Sequence, residues 1–221
     1  MKPCALIPAF NEEKHIGKAV AGVSCYVTKV IVVDDGSADG TARAARDAGA
    51  EVVTHRRNLG KGAALRSGLS KAFEEGYDPV VILDADGQHD CREIPLFLEA
   101  AQGEGADIVV GNRMGETERM PLVRYLTNKV TSYFVSRLAG QRIPDSQCGF
   151  RLISEKAFRN IKFETSRYDT ESEMLIEAGR AGCTISSIPV RTIYGCEKSR
   201  INPLVDTVRF IKLVVKHTLG R

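Results

Sequence analysis

Val80-Val81-Ile82-Leu83-Asp84-Ala85-Asp86-Gly87-Gln88-His89 runs four apolar residues straight into two carboxylates set two apart. An apolar run of this length, rich in β-branched residues, reads as a buried strand. Side chains alternate along a strand, so Asp84 and Asp86 leave on the same side if the strand persists through Ala85. Gly87 then lets the backbone turn sharply, and Gln88 adds a neutral oxygen. Two carboxylates and an amide oxygen form a hard donor set that suits Mg2+ or Mn2+. Read instead as a solvated acidic loop, the pair would leave its mutual repulsion unanswered, so a neutralising partner is expected. In open α/β sheets, ligands gather at the carboxyl ends of strands. This strand end is therefore the first place to look for a metal-bound phosphate ester.

Working outward, the same rhythm recurs. Residues 4–8, 30–33, 51–54 and 107–111 read as further strands. Helices are expected from Asn11, as N-cap with acids in the first turn, to about residue 22. Others run from Asp39 or Thr41 to Gly49, from the turn at residues 58–62 to Gly76, and over 94–102. This β-α-β-α order predicts a mostly parallel central sheet with helices on both faces. In a parallel sheet, Pro8-Ala9-Phe10-Asn11-Glu12-Glu13, Asp34-Asp35-Gly36-Ser37, Asp84 to Gln88 and Gly111-Asn112-Arg113 all meet at one rim. Taken singly, Asp34 to Ser37 reads more simply as a capped acidic turn, and Arg113 equally well as a surface arginine. Their conjunction points to a ligand, with Arg113 offering a fork of donors to a phosphate.

Beyond Gly111 the pattern changes. Over 121–139, Leu122, Leu126, Val130, Phe134 and Leu138 recur every four residues as one apolar stripe on a helix. A short strand is expected at 150–153, helices at 154–160 and 170–181, a strand at 185–190 and a last helix over 203–219. On that last helix Leu204, Val208, Ile211 and Val215 share one face, and Arg209, Lys212 and Lys216 another. Two readings stand side by side for it and for the 121–139 helix with Arg124, Lys129 and Arg137. Each is either a core-facing helix with a solvated basic side or a helix lying on an anionic leaflet. No Pro/Gly/Ser linker interrupts the chain, so residues 1–221 read as one domain.

Bulk properties exclude several classes. The 221 residues are 43% hydrophobic and 27% charged, an ordinary globular composition. A net charge of +3 with no concentrated basic stripe argues against a nucleic-acid partner. The six cysteines form no CxxC pair and match no zinc spacing, and no secretory apolar segment opens the chain, so a cytoplasmic protein with reduced thiols is expected. No apolar run reaches the roughly 20 residues that span a bilayer.

Together these stretches resemble family 2 glycosyltransferases of GT-A fold. The resemblance is carried by residues 8–13, by Val32-Val33-Asp34-Asp35-Gly36-Ser37-Ala38-Asp39-Gly40-Thr41, and by Asp84 to His89. Residues 111–113, Asp145-Ser146-Gln147-Cys148-Gly149-Phe150-Arg151, Tyr168-Asp169-Thr170-Glu171-Ser172-Glu173-Met174 and residues 194–203 are most similar to the dolichol- and polyprenyl-phosphate mannose or glucose synthases. That resemblance implies a nucleotide-sugar-binding half (1–113) and an acceptor-binding half (114–221). Pro8, Phe10 and Glu12 would line the nucleotide pocket, Asp35 would reach the base, and Asp84 the ribose side or the metal. Asp86 and Gln88 would hold an Mg2+ or Mn2+ ion that bridges the diphosphate. Arg113, Arg124 and Arg151 would face the acceptor or donor phosphates, and Lys198 would close over the diphosphate. His89 reads as a supporting neighbour of the acids rather than a ligand.

The implied reaction is inverting transfer of a hexose from UDP-glucose or GDP-mannose to a polyprenyl phosphate, by a peripheral protein at the cytoplasmic membrane face. A phosphate acceptor, largely ionised at neutral pH because its second pKa is about 6, needs no strong general base. A hydroxyl acceptor would need one, and Asp145, Asp169 and Glu171 are the candidates. Asp169 and Glu171 also suit a helix start. A haloacid-dehalogenase phosphotransferase would carry its Asp-x-Asp on the first strand. A nucleotidyltransferase or a dinucleotide enzyme would carry a Gly-rich signature where this chain has Pro8-Ala9-Phe10-Asn11. A sugar-nucleotide-binding module without catalysis is the rival from another class.

Overall fold

A computed structural model describes residues 1–115, 120–161, 170–191, 193, 210–215 and 217–218. Its strands are β1 (Cys4–Ala9), β2 (Lys29–Asp34), β3 (Glu51–Thr54), β4 (Val80–Ile82), β5 (Ile108–Asn112), β6 (Arg151–Ile153) and β7 (Ile185–Pro189). They form one seven-stranded sheet in the order β3-β2-β1-β4-β6-β5-β7. β1 pairs in parallel with both β2 and β4, β2 with β3, and β5 with β7. β6 alone runs antiparallel, between β4 and β5. Two antiparallel steps restore direction, so β1, β2, β4 and β5 all point the same way. The expected common rim exists.

The helices explain why the strand sequences are apolar without alternation. α1 (Ile16–Ser24), α2 (Thr41–Asp47) and α3 (Lys61–Glu74) pack against β1, β2 and β3. The chain moves outward from β1 to β3 and then reverses to β4. Right-handed crossovers put α1 and α2 on one face and α3 on the other. A sheet covered on both faces buries every residue of its middle strands. Ala5, Leu6, Ile7, Ile31, Val32, Val33, Val80 and Val81 are all fully buried. The reversal between β1 and β4 is a topological switch point, where the sheet opens a crevice at its carboxyl rim. α4 (Ile94–Gly103) packs on β5, β6 and β7, while α5 (Leu122–Ala139), α6 (Glu155–Asn160) and α7 (Thr170–Arg180) complete the second half.

Three expectations change. First, α1 begins at Ile16, not at Asn11. Asn11 sits at φ 54° and bonds the neighbouring loop instead of capping a helix. Second, β4 stops at Ile82, and Ala85 and Asp86 lie in a turn. Strand alternation therefore does not bring Asp84 and Asp86 together. Third, the core-facing reading of the α5 stripe is overturned. Leu122, Leu126, Val130 and Phe134 are exposed, with only Leu138 of that stripe partly buried against the core. The buried side of α5 is instead Asn128, Thr131, Ser132, Val135 and Ala139, with Ser136 half-buried beside them, so a polar i, i+4 series (Asn128, Ser132, Ser136) faces inward next to Val135 and Ala139. Of the expected last helix, residues 203–209 lie outside the described residues, and 210–215 are helical.

Candidate functional site

At the rim, the loops after β1 and β2 are laced together by hydrogen bonds. Asn11 N donates to Ser37 Oγ (2.9 Å), Ala38 N to Asn11 Oδ1 (2.9 Å), and Glu12 N to Thr41 Oγ1 (2.8 Å). Glu12 also meets His15 Nδ1 at 3.1 Å through Oε2. Pro8 is the penultimate residue of β1, in register with Val33, and Phe10 is half-buried.

Asp35 is 3% exposed, and its carboxylate serves the protein. Leu59 N and Gly60 N donate to it at 2.9 and 2.8 Å, and His55 Nδ1 lies 2.6 Å away. The His55 ring bridges onward to Ser67 Oγ at 3.0 Å. Gly36 makes this possible. Its φ of +75° and the Arg57 backbone, 2.4 Å from where a Cβ would stand, leave no room for a side chain. Asp35 thus organises the 55–60 loop.

At the end of β4, Asp84 stands at the centre of a charged cluster. Lys61 Nζ, from the first turn of α3, contacts Asp84 Oδ1 at 2.5 Å and Glu171 Oε1 of α7 at 2.9 Å. His89 Nε2 lies 3.4 Å from Asp84 Oδ2. On its other side Gly149 closes in, since a Cβ there would stand 2.4 Å from the same oxygen. Burial works against both charges, but each outweighs it for the other. The Lys61 ammonium holds Asp84 well below the usual carboxylate range, with His89 assisting, and Asp84 and Glu171 raise Lys61. Asp86 lies in the following turn and accepts from Gln88 N at 3.0 Å.

No cluster of three or more His, Cys, Asp or Glu forms a metal cage among the described residues. A catalytic Mg2+ is typically held by one or two carboxylates, with phosphate and water oxygens completing the shell. Asp84 and Asp86, hard oxygen donors at one strand end, fit that half-built arrangement.

The second half supplies a buried pair. Arg113, just past β5, donates through Nε and Nη2 to Asp145 Oδ2 and Oδ1 at 2.8 and 2.9 Å, and through its own N–H at 3.1 Å. Asn128 Nδ2 of α5 adds a bond to Asp145 at 2.7 Å, and Gln147 N one at 3.2 Å. Ser132 Oγ donates to Asn128 Oδ1 and accepts from Ser146 N, both at 2.9 Å. The polar stripe of α5 therefore pins the segment that carries Asp145. Burial resists both charges, yet Arg113 lowers the Asp145 pKa and Asp145 raises that of Arg113.

Several expected roles change. Arg151 is 1% exposed and does not face a phosphate site. Its Nε, Nη1 and Nη2 donate to the carbonyls of Cys148, Glu171 and Ser146, each at 2.7 Å. A guanidinium so buried is tolerable only when its donors are satisfied, and these bonds hold the 146–151 turn against α7. Asp145 is fully buried and cannot reach a substrate proton. Arg124 lies exposed on α5. Lys198 and Asp169 fall outside the described residues. Lys61 and Gly149 were missed. The only sequence sign of Lys61 was the unanswered repulsion at Asp84, which asked for a cation. Gly149 gave none, because its role depends on a neighbour 65 positions away, as the numbering of Asp84 and Gly149 shows.

Comparison with known proteins follows this geometry. The model of glycosyl transferase family 2 matches residues 4–162. The UDP-N-acetylglucosamine–dolichyl-phosphate N-acetylglucosaminyltransferase of Methanococcus voltae is 33% identical, covering 86% of this chain and 84% of its own. The undecaprenyl-phosphate mannosyltransferase of Micrococcus luteus is 30% identical, covering 86% and 83%. Among solved structures, glucosyl-3-phosphoglycerate synthase from Mycobacterium tuberculosis, in complex with Mn2+, UDP and phosphoglyceric acid, superposes with a TM-score of 0.73. That match covers 99% of this chain and 78% of the other at 21% identity, and it shows the GT-A fold.

Proposed function

The chain belongs to glycosyl transferase family 2, and from that premise we propose that it transfers one hexose unit from a nucleotide sugar to a polyprenyl phosphate. The observation that carries the choice of acceptor is the state of the carboxylates. A hydroxyl acceptor needs a base, and both described candidates are engaged. Asp145 is sealed under Arg113, and Glu171 is paired with Lys61. A phosphate acceptor arrives already ionised and asks for cations instead. Lys61 and Arg113 lie at the rim, each paired with a carboxylate that an incoming phosphate would have to compete with. The relatives named for dolichyl- and undecaprenyl-phosphate acceptors support the same class.

Asp84 and Asp86, with Gln88 beside them, would hold Mg2+ or Mn2+, and the M. tuberculosis enzyme of the same fold was solved in complex with Mn2+ and UDP. When bound, that ion would stabilise the charge gathering on the departing diphosphate. The chain's own part is to fix the donor between the laced 9–13 and 34–41 loops and the 55–60 wall that Asp35 holds. Fixed dipoles and charges of this kind need no reorganisation during the reaction.

The exposed face of α5 supports a peripheral membrane position. Leu122, Val123, Leu126, Val130, Tyr133 and Phe134 are all exposed, and Arg124, Lys129 and Arg137 lie exposed along the same helix. An apolar face with flanking cations binds an anionic leaflet. No helix among the described residues is long and apolar enough to cross a membrane. Leu126→Glu with Val130→Glu should cut flotation with anionic vesicles at least tenfold, while exposed positions change stability by only about 0.5 kcal/mol each. Undiminished flotation would remove α5 from the membrane contact.

The deciding assay offers radiolabelled UDP-glucose, UDP-N-acetylglucosamine and GDP-mannose, each with a polyprenyl phosphate or with 3-phosphoglycerate, in Mn2+ or EDTA. Label entering the lipid fraction in a metal-dependent way is the expected result. Label entering 3-phosphoglycerate alone would establish a hydroxyl acceptor, and hydrolysis of none of the donors would sink the transferase reading.

A further inference from the structure

We propose that Lys61 is a built-in counter-cation of the metal site, which blocks a free divalent ion and makes metal entry conditional on the donor diphosphate. The proposal rests on the reading of Asp84 as a metal ligand. Its warrant is that two cations want one oxygen. The Lys61 ammonium is 2.5 Å from Asp84 Oδ1 and 2.9 Å from Glu171 Oε1. Asp84 cannot turn its other oxygen outward freely, because His89 lies 3.4 Å from Oδ2 and Gly149 approaches it closely enough to exclude a Cβ. A divalent ion at Asp84 would therefore either displace the ammonium or sit beside it.

Both options are unfavourable for the ion alone. Displacement leaves Glu171, an 8%-exposed carboxylate, without its cation. A buried charge stripped of its partner is strongly destabilising. Coexistence balances three positive charges against Asp84, Asp86 and Glu171, but it sets the ammonium and the dication side by side on one carboxylate, where limited solvent screening strengthens their mutual repulsion. A nucleoside diphosphate changes the sum. Its phosphates bring negative charge that can take the ammonium and the metal together. Lys61 sits at the first position of α3, on the wall of the switch-point crevice, and a lysine stem lets the ammonium swing while its backbone stays fixed. Lys61 also links α3 of the first half to α7 of the second, so the exchange would be felt on both sides of the crevice.

The test compares wild type, Lys61→Met and Lys61→Arg by Mn2+ electron paramagnetic resonance titration, each with and without UDP and GDP. Melting temperatures in EDTA and in Mn2+ are measured in parallel. Wild type should bind free Mn2+ weakly and gain at least tenfold in Mn2+ affinity with one of the nucleotides. Lys61→Met should bind free Mn2+ at least tenfold more tightly than wild type and lose most of the nucleotide dependence. It should also melt lower in EDTA and recover more in Mn2+ than wild type does. Lys61→Arg, which keeps the charge, should resemble wild type without nucleotide. Lys61→Gln, a second uncharged variant that keeps a polar head, should repeat the tight, nucleotide-independent Mn2+ binding and keeps the proposal testable if the methionine variant does not fold. Free Mn2+ affinity that is equal or weaker in Lys61→Met, or tight and nucleotide-independent in wild type, overturns the counter-cation role. If wild type binds Mn2+ with UDP or GDP and only the variants disobey, the metal-site reading survives and this proposal alone falls. If wild type binds no Mn2+ under any condition, both fall.

Discussion

Asp86→Ala should lower metal-dependent turnover by about 10²- to 10³-fold, the loss typical when one group that stabilises transition-state charge is removed. The fold should survive. Asp86 lies partly exposed in the turn after β4, where it accepts from Gln88 N at 3.0 Å. Losing one such bond costs about 1 kcal/mol. The contrast with Asp84 is instructive. Asp84 is tied to Lys61 and His89, so replacing it would disturb the packing as well as the chemistry. Asp86 separates the two effects. Initial rates across a Mn2+ titration, with a melting curve on the same preparation, give the result. Wild-type rates in the variant would remove Asp86 from the metal site.

Asp145→Ala should be the costliest single change in stability, about 3–5 kcal/mol, because it leaves the largely buried Arg113 guanidinium without its partner. Asn128 Nδ2 and two backbone N–H groups, of Arg113 and Gln147, lose an acceptor as well. The pH dependence has a definite sign. The folded-state pKa of Asp145 is lowered, Arg113 overcoming the opposing effect of burial. Its contribution is therefore complete above the unfolded carboxylate value of about 3.9. It is lost as pH falls below that value through the folded one. Urea midpoints for wild type and variant should thus differ widely at neutral pH and converge on acidification. A constant gap down to the acid transition would contradict the ion-pair account.

What was legible in the sequence follows from which interactions are local. The strands from β1 to β5 announced themselves because a sheet covered on both faces needs uninterrupted apolar runs. Their common rim followed from the β-α-β-α order. Asp84 and Asp86 follow β4 as expected, but not by the alternation that the apolar run suggests. The strand stops before Ala85, so strand alternation does not align them and a turn places Asp86. The second half was harder to read. Arg151 looked like a phosphate ligand, since nothing local says that three carbonyls will enclose it. On α5 the apolar series and the Asn128-Ser132-Ser136 series have the same period. Periodicity finds a helix but does not say which stripe faces inward when the interior offers hydrogen-bond partners such as Asp145 and Ser146. Lys61 and Gly149 escaped because their meaning depends on contacts between distant parts of the chain.

The position of β6 has a consequence for how the molecule comes into being. β4 and β5 are separated in the sheet by a strand that the ribosome delivers some 40 residues after β5, as the spacing from Asn112 to Arg151 shows. Until β6 emerges, each of these two strands lacks its neighbour on that side. Unpaired strand edges are what aggregation exploits during synthesis. The nascent chain must therefore hold the strands from β1 to β5 as an open sheet and complete it from the residues that follow. The strand that joins β4 to β5 is also the strand on which Arg151 sits, with its charge sealed by Ser146, Cys148 and Glu171. Closing the sheet and burying that guanidinium are one event. The groups that close on Asp84 from the second part of the chain, Gly149 and, through Lys61, Glu171, are consequently in place only once the sheet is complete.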